Sequence, residues 1–293
     1  MGRAKAHILH VMAKIWRTAY TPPHPRKIIL CYHSVHPTCS FKSCTPETFE
    51  EHLQWLQANC DVVSLQRLQN LGAESGHRRR PLVALTFDDG YRDNYDYAFP
   101  LLMKWRIPAT FFVTVGLIEH DPSVMRRFQH LRQTDMHELA PLTWAHVREM
   151  NAAGMEFGAH TYSHPNLMYV RPSQYVSEFQ EARARLEDQL GHTVSGFAYP
   201  FGQPRCHFTT EHVELVRQFG YAYAVTVVWR GVGTGDARWT LPRFSVRNDD
   251  VRTLTDKVNG GWDVVGHMHE RLPSWVNRVI APGAFRASTY TPP

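Results

Sequence analysis

The feature that most restricts this chain is the repeated switch between short apolar runs and amphipathic stretches from residue 27 to residue 246. Runs at 27–32, 82–87, 109–115, 155–159, 196–199, 221–228 and 241–246 read as strands, with a further short one near Val62-Val63. Helices fit between them. Thr45-Pro46-Glu47 places a capping hydroxyl before a proline at the first helical position, followed by Phe49, Leu53 and Leu56. Thr143 caps a helix that Gly154 ends; 172–190 stops at Gly191, and 210–219 stops at Gly220. Strands that alternate with helices pair in parallel, because a parallel neighbour needs a long crossover. The expected fold class is therefore α/β, as a wound sheet or a (β/α) barrel of about seven parallel strands. The stretch 119–140 is polar and His-rich, and it reads as an irregular excursion over one face.

Composition narrows the class further. Of 293 residues, 43% are hydrophobic and 20% charged, which supports a large core and excludes wholesale disorder. No apolar run approaches the ~18 residues of a membrane-spanning helix. The net charge of +5 is spread along the chain without a Lys/Arg block, which argues against a nucleic-acid partner. Cys31, Cys39, Cys44, Cys60 and Cys206 lack C-x-x-C spacing, so thiols in a reducing compartment are expected rather than disulfides. Residues 1–26 form a basic amphipathic segment and a Pro-rich connector. Its Arg3, Lys5, Lys14 and Arg17 alternate with Ile8, Leu9, Val11, Met12, Ile15 and Trp16. Such a helix packs on its own domain or lies on a membrane surface through residues 1–20. It lacks the pattern of a secretory leader, and the expected location is cytoplasmic, with peripheral contact at the inner membrane face as an option. The expected domain spans 27–281, and 282–293 forms a tail.

Two strand ends carry the chemistry. The run 82–87 leads into Asp88-Asp89-Gly90, and adjacent carboxylates there need a cation, a metal or exposure. An acidic turn closed by glycine reads the same way in isolation. The run 155–159 leads into His160-Thr161-Tyr162-Ser163-His164, where two imidazoles four residues apart meet if the backbone makes one turn. Pro165 limits that turn to a single one. His33 follows the first strand, Pro200-Phe201-Gly202 follows the fifth major run, and Arg243 sits within the last. In parallel β/α folds the carboxyl ends of the strands open on one face, where active sites form. Two histidines and one aspartate leave a coordination position for water, the pattern of a catalytic metal site.

These residues resemble the polysaccharide deacetylases of carbohydrate esterase family four. Thr86-Phe87-Asp88-Asp89-Gly90 is similar to the first family motif and His160-Thr161-Tyr162-Ser163-His164 to the second. Phe197-Ala198-Tyr199-Pro200-Phe201-Gly202 is similar to a variant of the third, and the likeness runs from about residue 28 to 246. The resemblance implies a distorted (β/α) barrel and metal-dependent amide or ester hydrolysis. It implies Asp88 as general base, Asp89, His160 and His164 as metal ligands, and the Phe201 N–H as oxyanion donor. Many members carry an Arg in the third motif to hold the base; Ala198 stands there, and Arg243 is the expected substitute. A late family His has its counterpart in His269. A branch that deacetylates biofilm polysaccharide carries this His early, after a Tyr, and Tyr32-His33 resembles that arrangement, which makes His33 the expected general acid.

The ion implied is Zn²⁺, with Co²⁺, Ni²⁺ or Mn²⁺ as alternatives. The implied partner is an N-acetylated glycan or glycan precursor, in exopolysaccharide biosynthesis. Tyr91, Tyr162 and Tyr199 are candidates for substrate contact, as is Trp229 for stacking; Trp105 and Trp144 are expected in the core. Two other readings stand beside this one. One is deacetylation or deformylation of a small lipid-linked or nucleotide sugar. The other is a non-catalytic carbohydrate-binding barrel.

Overall fold

The computed structural model describes residues 26–38, 43–70, 80–132 and 140–271, apart from the side chains of residues 43, 132, 269 and 271. The amphipathic segment 1–20, the connector, Cys39, the tail 282–293 and the side chain of His269 lie outside what is described. Ten strands are described: β1 (Lys27–Tyr32), β2 (Ser34–Val35), β3 (Ser43–Cys44), β4 (Asp61–Val62), β5 (Leu82–Asp89), β6 (Ala109–Val113), β7 (Glu156–Ala159), β8 (Gly196–Ala198), β9 (Tyr223–Val225) and β10 (Phe244–Ser245). The main sheet runs β10-β1-β5-β6-β7-β8-β9, with β4 also paired to β5, and every ladder is parallel. β2 and β3 form a separate parallel pair.

The sheet closes on itself through one short segment. Leu241 bridges Val225 at the end of β9, and three residues later Phe244 pairs with Leu30 of β1. The result is a distorted (β/α) barrel with about seven main strands, as the alternation of apolar runs implies. Its interior holds Ile29, Leu82, Ala84, Phe112, Ala198, Tyr223, Val225 and Leu241. The opposite strand faces, with Leu30, Leu85, Phe87, Phe111 and Phe157, pack under the helices. Burial on both faces explains why the strands read as apolar runs without alternation.

Local signals act as the sequence suggests at several helix ends. Thr45 accepts a hydrogen bond from the Thr48 N–H and Pro46 opens the helix Pro46–Asn59. Thr143 caps Trp144–Ala152, and Gly191 ends Ala182–Leu190 with φ 72°. Trp105 and Trp144 pack against the main core.

Three expectations need correction. The stretch 172–190 is not one α-helix: a short 3₁₀ turn (Pro172–Gln174) and a wider π-type turn (Val176–Glu181) precede Ala182–Leu190. The excursion 119–140 contains the helix Pro122–Arg132. Its signal was present, because the Asp121 carboxylate accepts from the Ser123 and Val124 N–H groups with Pro122 at the first helical position. The run 221–228 yields only Tyr223–Val225. Beyond it the Thr226 N–H bonds to Leu241 O and the Val227 N–H to Gly202 O, so the chain pairs with loops instead of a strand.

Closure at the amino end of the barrel rests on Arg26, which is buried and bidentate to Asp263 at 2.9 and 3.0 Å, with its Nε donating to Val258 O. Asp263 also accepts from the Gly231 N–H. Asp263→Ala strands the guanidinium without a counter-charge, and we expect a loss of about 3–5 kcal/mol in unfolding free energy by urea titration, far more than truncating the exposed Arg217–Glu214 pair produces.

Candidate metal and catalytic centre

The site is built at the carboxyl end of β5, which runs two residues further than the apolar pattern suggests. Asp88 and Asp89 stay in the ladder, opposite Phe112 and Val113 of β6. Neighbouring strand residues point to opposite faces. Asp88 accordingly shares the inward face with Thr86 and Ala84. Asp89 departs from extended geometry with φ 80°, and the chain turns at Gly90. Thr161, His164 and Phe201 also have positive φ, at 64°, 54° and 60°. Side chains with a Cβ rarely adopt this conformation, which costs of the order of 1–3 kcal/mol each. Its recurrence at four neighbouring positions shows where backbone strain is concentrated.

Asp89, His160 and His164 come together. The Asp89 Oδ1 lies 3.6 Å from His160 Nε2 and 3.3 Å from His164 Nε2, and all three side chains are buried. Their donor atoms lie within 4.8 Å of one another. The His160 Nδ1 sits 2.8 Å from the carbonyl of Ala198, which can only accept. That contact fixes the proton on Nδ1 and leaves the lone pair of a neutral ring on Nε2, toward Asp89. Three atoms about 2.1 Å from a shared ion at tetrahedral angles stand roughly 3.4 Å apart, so the donor set and its spacing fit a small divalent cation.

The His-x-x-x-His segment reaches this arrangement without the expected helical turn. The His164 N–H bonds to Thr161 Oγ1, and both residues are left-handed. Glu178 accepts from the Ser163 N–H and Oγ, while Arg127 donates to Ser163 O and Oγ. Buried Glu178 has its pKa raised by desolvation, with the Ser163 hydrogen bonds opposing. Arg127 comes from the helix hidden in the excursion, and Phe128 of that helix packs edge-on against His164 at 5.3 Å.

Asp88 is tied differently. Arg243, completely buried, donates through Nη1 to Oδ1 and through Nη2 to Oδ2, both at 2.7 Å, and through Nη1 to Thr86 Oγ1. Its Nε donates to Thr226 O. Burial by itself raises the Asp88 pKa, but the Arg243 charge, His160, the Arg243 hydrogen bonds and His33 together bring it down to about 2. His33 is buried at the end of β1, and its ring, Cys31 Sγ and an Asp88 oxygen lie within 4.8 Å of one another. This second donor cluster is poorly suited to another cation, because the Arg243 guanidinium already engages both Asp88 oxygens.

Phe201 stands in the tight turn after β8, its ring 4.8 Å from that of His164. Gly202, at φ 65°, has no room for a Cβ, which would meet the Val227 nitrogen at 2.6 Å. The tyrosines behave otherwise than expected. Tyr91 is completely buried, edge-on to Phe128 in a cluster with Leu117 and Val124. Tyr199 is completely buried, stacked on Phe208 at 3.9 Å, with its hydroxyl donating to Trp239 O. Neither offers a ring face to a sugar, because each fills core volume. Tyr162 is half-buried, and its hydroxyl engages Glu119 and Asp121 while Arg185 lies over its ring. Trp229 packs on Trp262 beside the Lys257 ammonium.

Two outcomes follow for solution measurements. Equilibrium dialysis of metal-free protein against a divalent cation should give one tightly held ion per chain, lost or weakened at least tenfold in Asp89→Ala and in His160→Ala. The Asp88–Arg243 pair should contribute stability above about pH 4, since the folded pKa of about 2 lies below the ordinary carboxylate value of 3.8. That contribution should fade between about pH 4 and 2. The stability gap between wild type and Asp88→Asn should narrow over the same range in acid unfolding.

The chain is similar to a group of known proteins. Residues 75–224 match the family described as Polysaccharide deacetylase. The chain is 28% identical over 224 residues to the putative polysaccharide deacetylase YxkH of Bacillus subtilis, covering 76% of this chain and 72% of that one. It is 25% identical over 228 residues to the poly-β-1,6-N-acetyl-D-glucosamine N-deacetylase of Staphylococcus epidermidis, covering 74% and 73%. Among solved structures, IcaB from Ammonifex degensii is similar with a TM-score of 0.64 and 26% identity, over 80% of this chain and 97% of that one. The deacetylase PplD of Streptococcus pyogenes shares the fold, with a TM-score of 0.66 over 81% and 99% of the two chains. The matched segment takes in β5 with its paired aspartates and the two histidines after β7, and the chain belongs to the polysaccharide deacetylase family.

Proposed function

We propose that this protein is a metal-dependent N-deacetylase of the early Tyr-His type, acting on an N-acetylated glucosamine polymer. The observation that carries the reading is the pairing of two adjacent carboxylates with different partners. Asp89 faces two imidazole nitrogens, and Asp88 faces a guanidinium. A simple carbohydrate-binding module has no need for a buried carboxylate held ionised beside a cation site. The resemblance to a named poly-β-1,6-N-acetyl-D-glucosamine N-deacetylase supports the polymer as substrate. Two imidazoles and one carboxylate suit Zn²⁺ first, and Co²⁺, Ni²⁺ or Mn²⁺ after it.

Asp89, His160 and His164 would hold the ion. When bound, it supplies Lewis acidity, which lowers the pKa of water and polarises the acyl carbonyl. Asp88 accepts the proton of the attacking water. Arg243 orients its carboxylate and keeps it ionised, so that it starts each cycle as an acceptor. The Phe201 N–H, presented by a turn that Gly202 permits, donates to the oxygen that becomes negative, a contact typically worth about 3 kcal/mol. His33 protonates the amine as the C–N bond breaks. An amine is a poor leaving group unless protonated, so an amide needs this acid more than an ester does. The products are acetate and a free amino sugar.

Acetate release from β-1,6-linked N-acetylglucosamine oligomers measures the activity directly. We expect a chelator to abolish it and Zn²⁺ to restore it. Asp88→Asn should retain one ion per chain while turnover falls about 10²–10⁴-fold. Undiminished acetate release by metal-free protein, or by Asp88→Asn, would falsify the assignment.

A further inference from the structure

We propose that Asn94, backed by Asp93, is a positioning residue that sets His33 at its working distance from Asp88. The inference rests on the reading of His33 as the general acid. After β1 the chain leaves the main sheet at His33, and backbone groups that leave a ladder need new partners. The Asn94 Nδ2 donates to the carbonyl of His33 at 2.8 Å and to Asp93 Oδ1 at 2.8 Å. Asp93 accepts the Ser34 hydroxyl on Oδ2 at 2.5 Å and the Val35 N–H on Oδ1 at 3.4 Å. Three consecutive residues, 33 to 35, are thus held by two adjacent side chains.

Those side chains are placed to do more than fill space. Asn94 is completely buried, and Asp93 and Ser34 are nearly so. Asp93 and Asn94 follow Asp88 and Asp89 by only a few residues, across the turn at Gly90. The segment that carries the base and a metal ligand therefore also grips the backbone of the acid. Displacing His33 relative to Asp88 requires breaking these contacts or deforming the end of β5. Burial pushes the Asp93 carboxyl up to about 7, against the pull of its hydrogen bonds to Ser34, Val35 and Asn94. An apolar pair of similar volume would hold a loop without that desolvation cost. A polar grip supplies direction instead, which an acid that must meet a leaving nitrogen requires.

Leaving-group dependence separates positioning from general support. An N-acetylated amine must be protonated to leave, whereas 4-nitrophenyl acetate releases a stable phenolate without an acid. Asn94→Ala should lower kcat on β-1,6-linked N-acetylglucosamine oligomers on the order of tenfold or more, with KM changed less than about twofold. Hydrolysis of 4-nitrophenyl acetate and the metal content should remain within about twofold of wild type. Ser34→Ala should show the same selectivity with a smaller loss, and Ser34→Thr should restore it. Ser34→Ala decides the matter if Asn94→Ala does not fold. His33→Ala, measured in parallel, should be selective in the same sense and more severe. Selective loss in His33→Ala without any in the folded anchor variants overturns the role of Asn94 alone. Equal loss on both substrates in His33→Ala overturns the general-acid reading and the positioning role with it. Equal loss on both substrates in the anchor variants, or none on either, also overturns the positioning role.

Discussion

A guanidinium enclosed in a barrel must have a charge to meet, and Arg243 meets Asp88 through two parallel hydrogen bonds of 2.7 Å. Much of the molecule follows from that pair. Arg243 lies in the short segment that joins the last strand to the first, so the contact that orients Asp88 also fastens the closure of the barrel. The remaining donors go to Thr86 and to the carbonyl of Thr226, which leaves little of the buried cation unsatisfied. A buried pair of this kind does not have to increase net stability. It does hold the Asp88 pKa down where burial by itself pushes it up.

The second carboxylate is governed by backbone geometry. Strict alternation would send Asp89 away from Asp88, toward the helices. The left-handed turn at Asp89 and those at Thr161, His164 and Phe201 bend the strand ends toward one mouth. Such strain persists only where the surroundings overdetermine it. Here those surroundings include Ser163 held between Glu178 and Arg127, and Gly202 pressed against Val227. The helix Pro122–Arg132 takes part twice, through Arg127 and through Phe128.

Much of this was legible in the residues themselves. Strand positions showed as apolar runs because both faces of a parallel sheet are buried, and helix ends showed through Thr45, Thr143 and Gly191. The grouping of the aspartate pair with His160 and His164 could be anticipated, since parallel strands end on the same face, whereas the choice of Asp89 over Asp88 came only from the family resemblance. Side-chain orientation was not legible. Tyr91 and Tyr199 sit beside motif residues in sequence, yet each turns into the core, because adjacency along a strand or turn says nothing about which face a ring occupies. The helix at 122–132 was hidden for another reason: its polar composition masked a capping signal at Asp121-Pro122. The hold of Asp93 and Asn94 on the loop after β1 left no pattern at all, since the partners are about sixty residues apart.

The sequence by itself determined the α/β class, the approximate strand positions and the residue types of a candidate metal centre, because periodicity and chemistry are local properties. Tertiary structure decided which carboxylate meets the imidazoles and which meets the guanidinium. It also decided that Arg243, and no residue of the third motif, serves Asp88. Both outcomes depend on strand register and on the sign of φ at a few positions, and these are fixed only when distant segments pack and compete for the same buried polar groups.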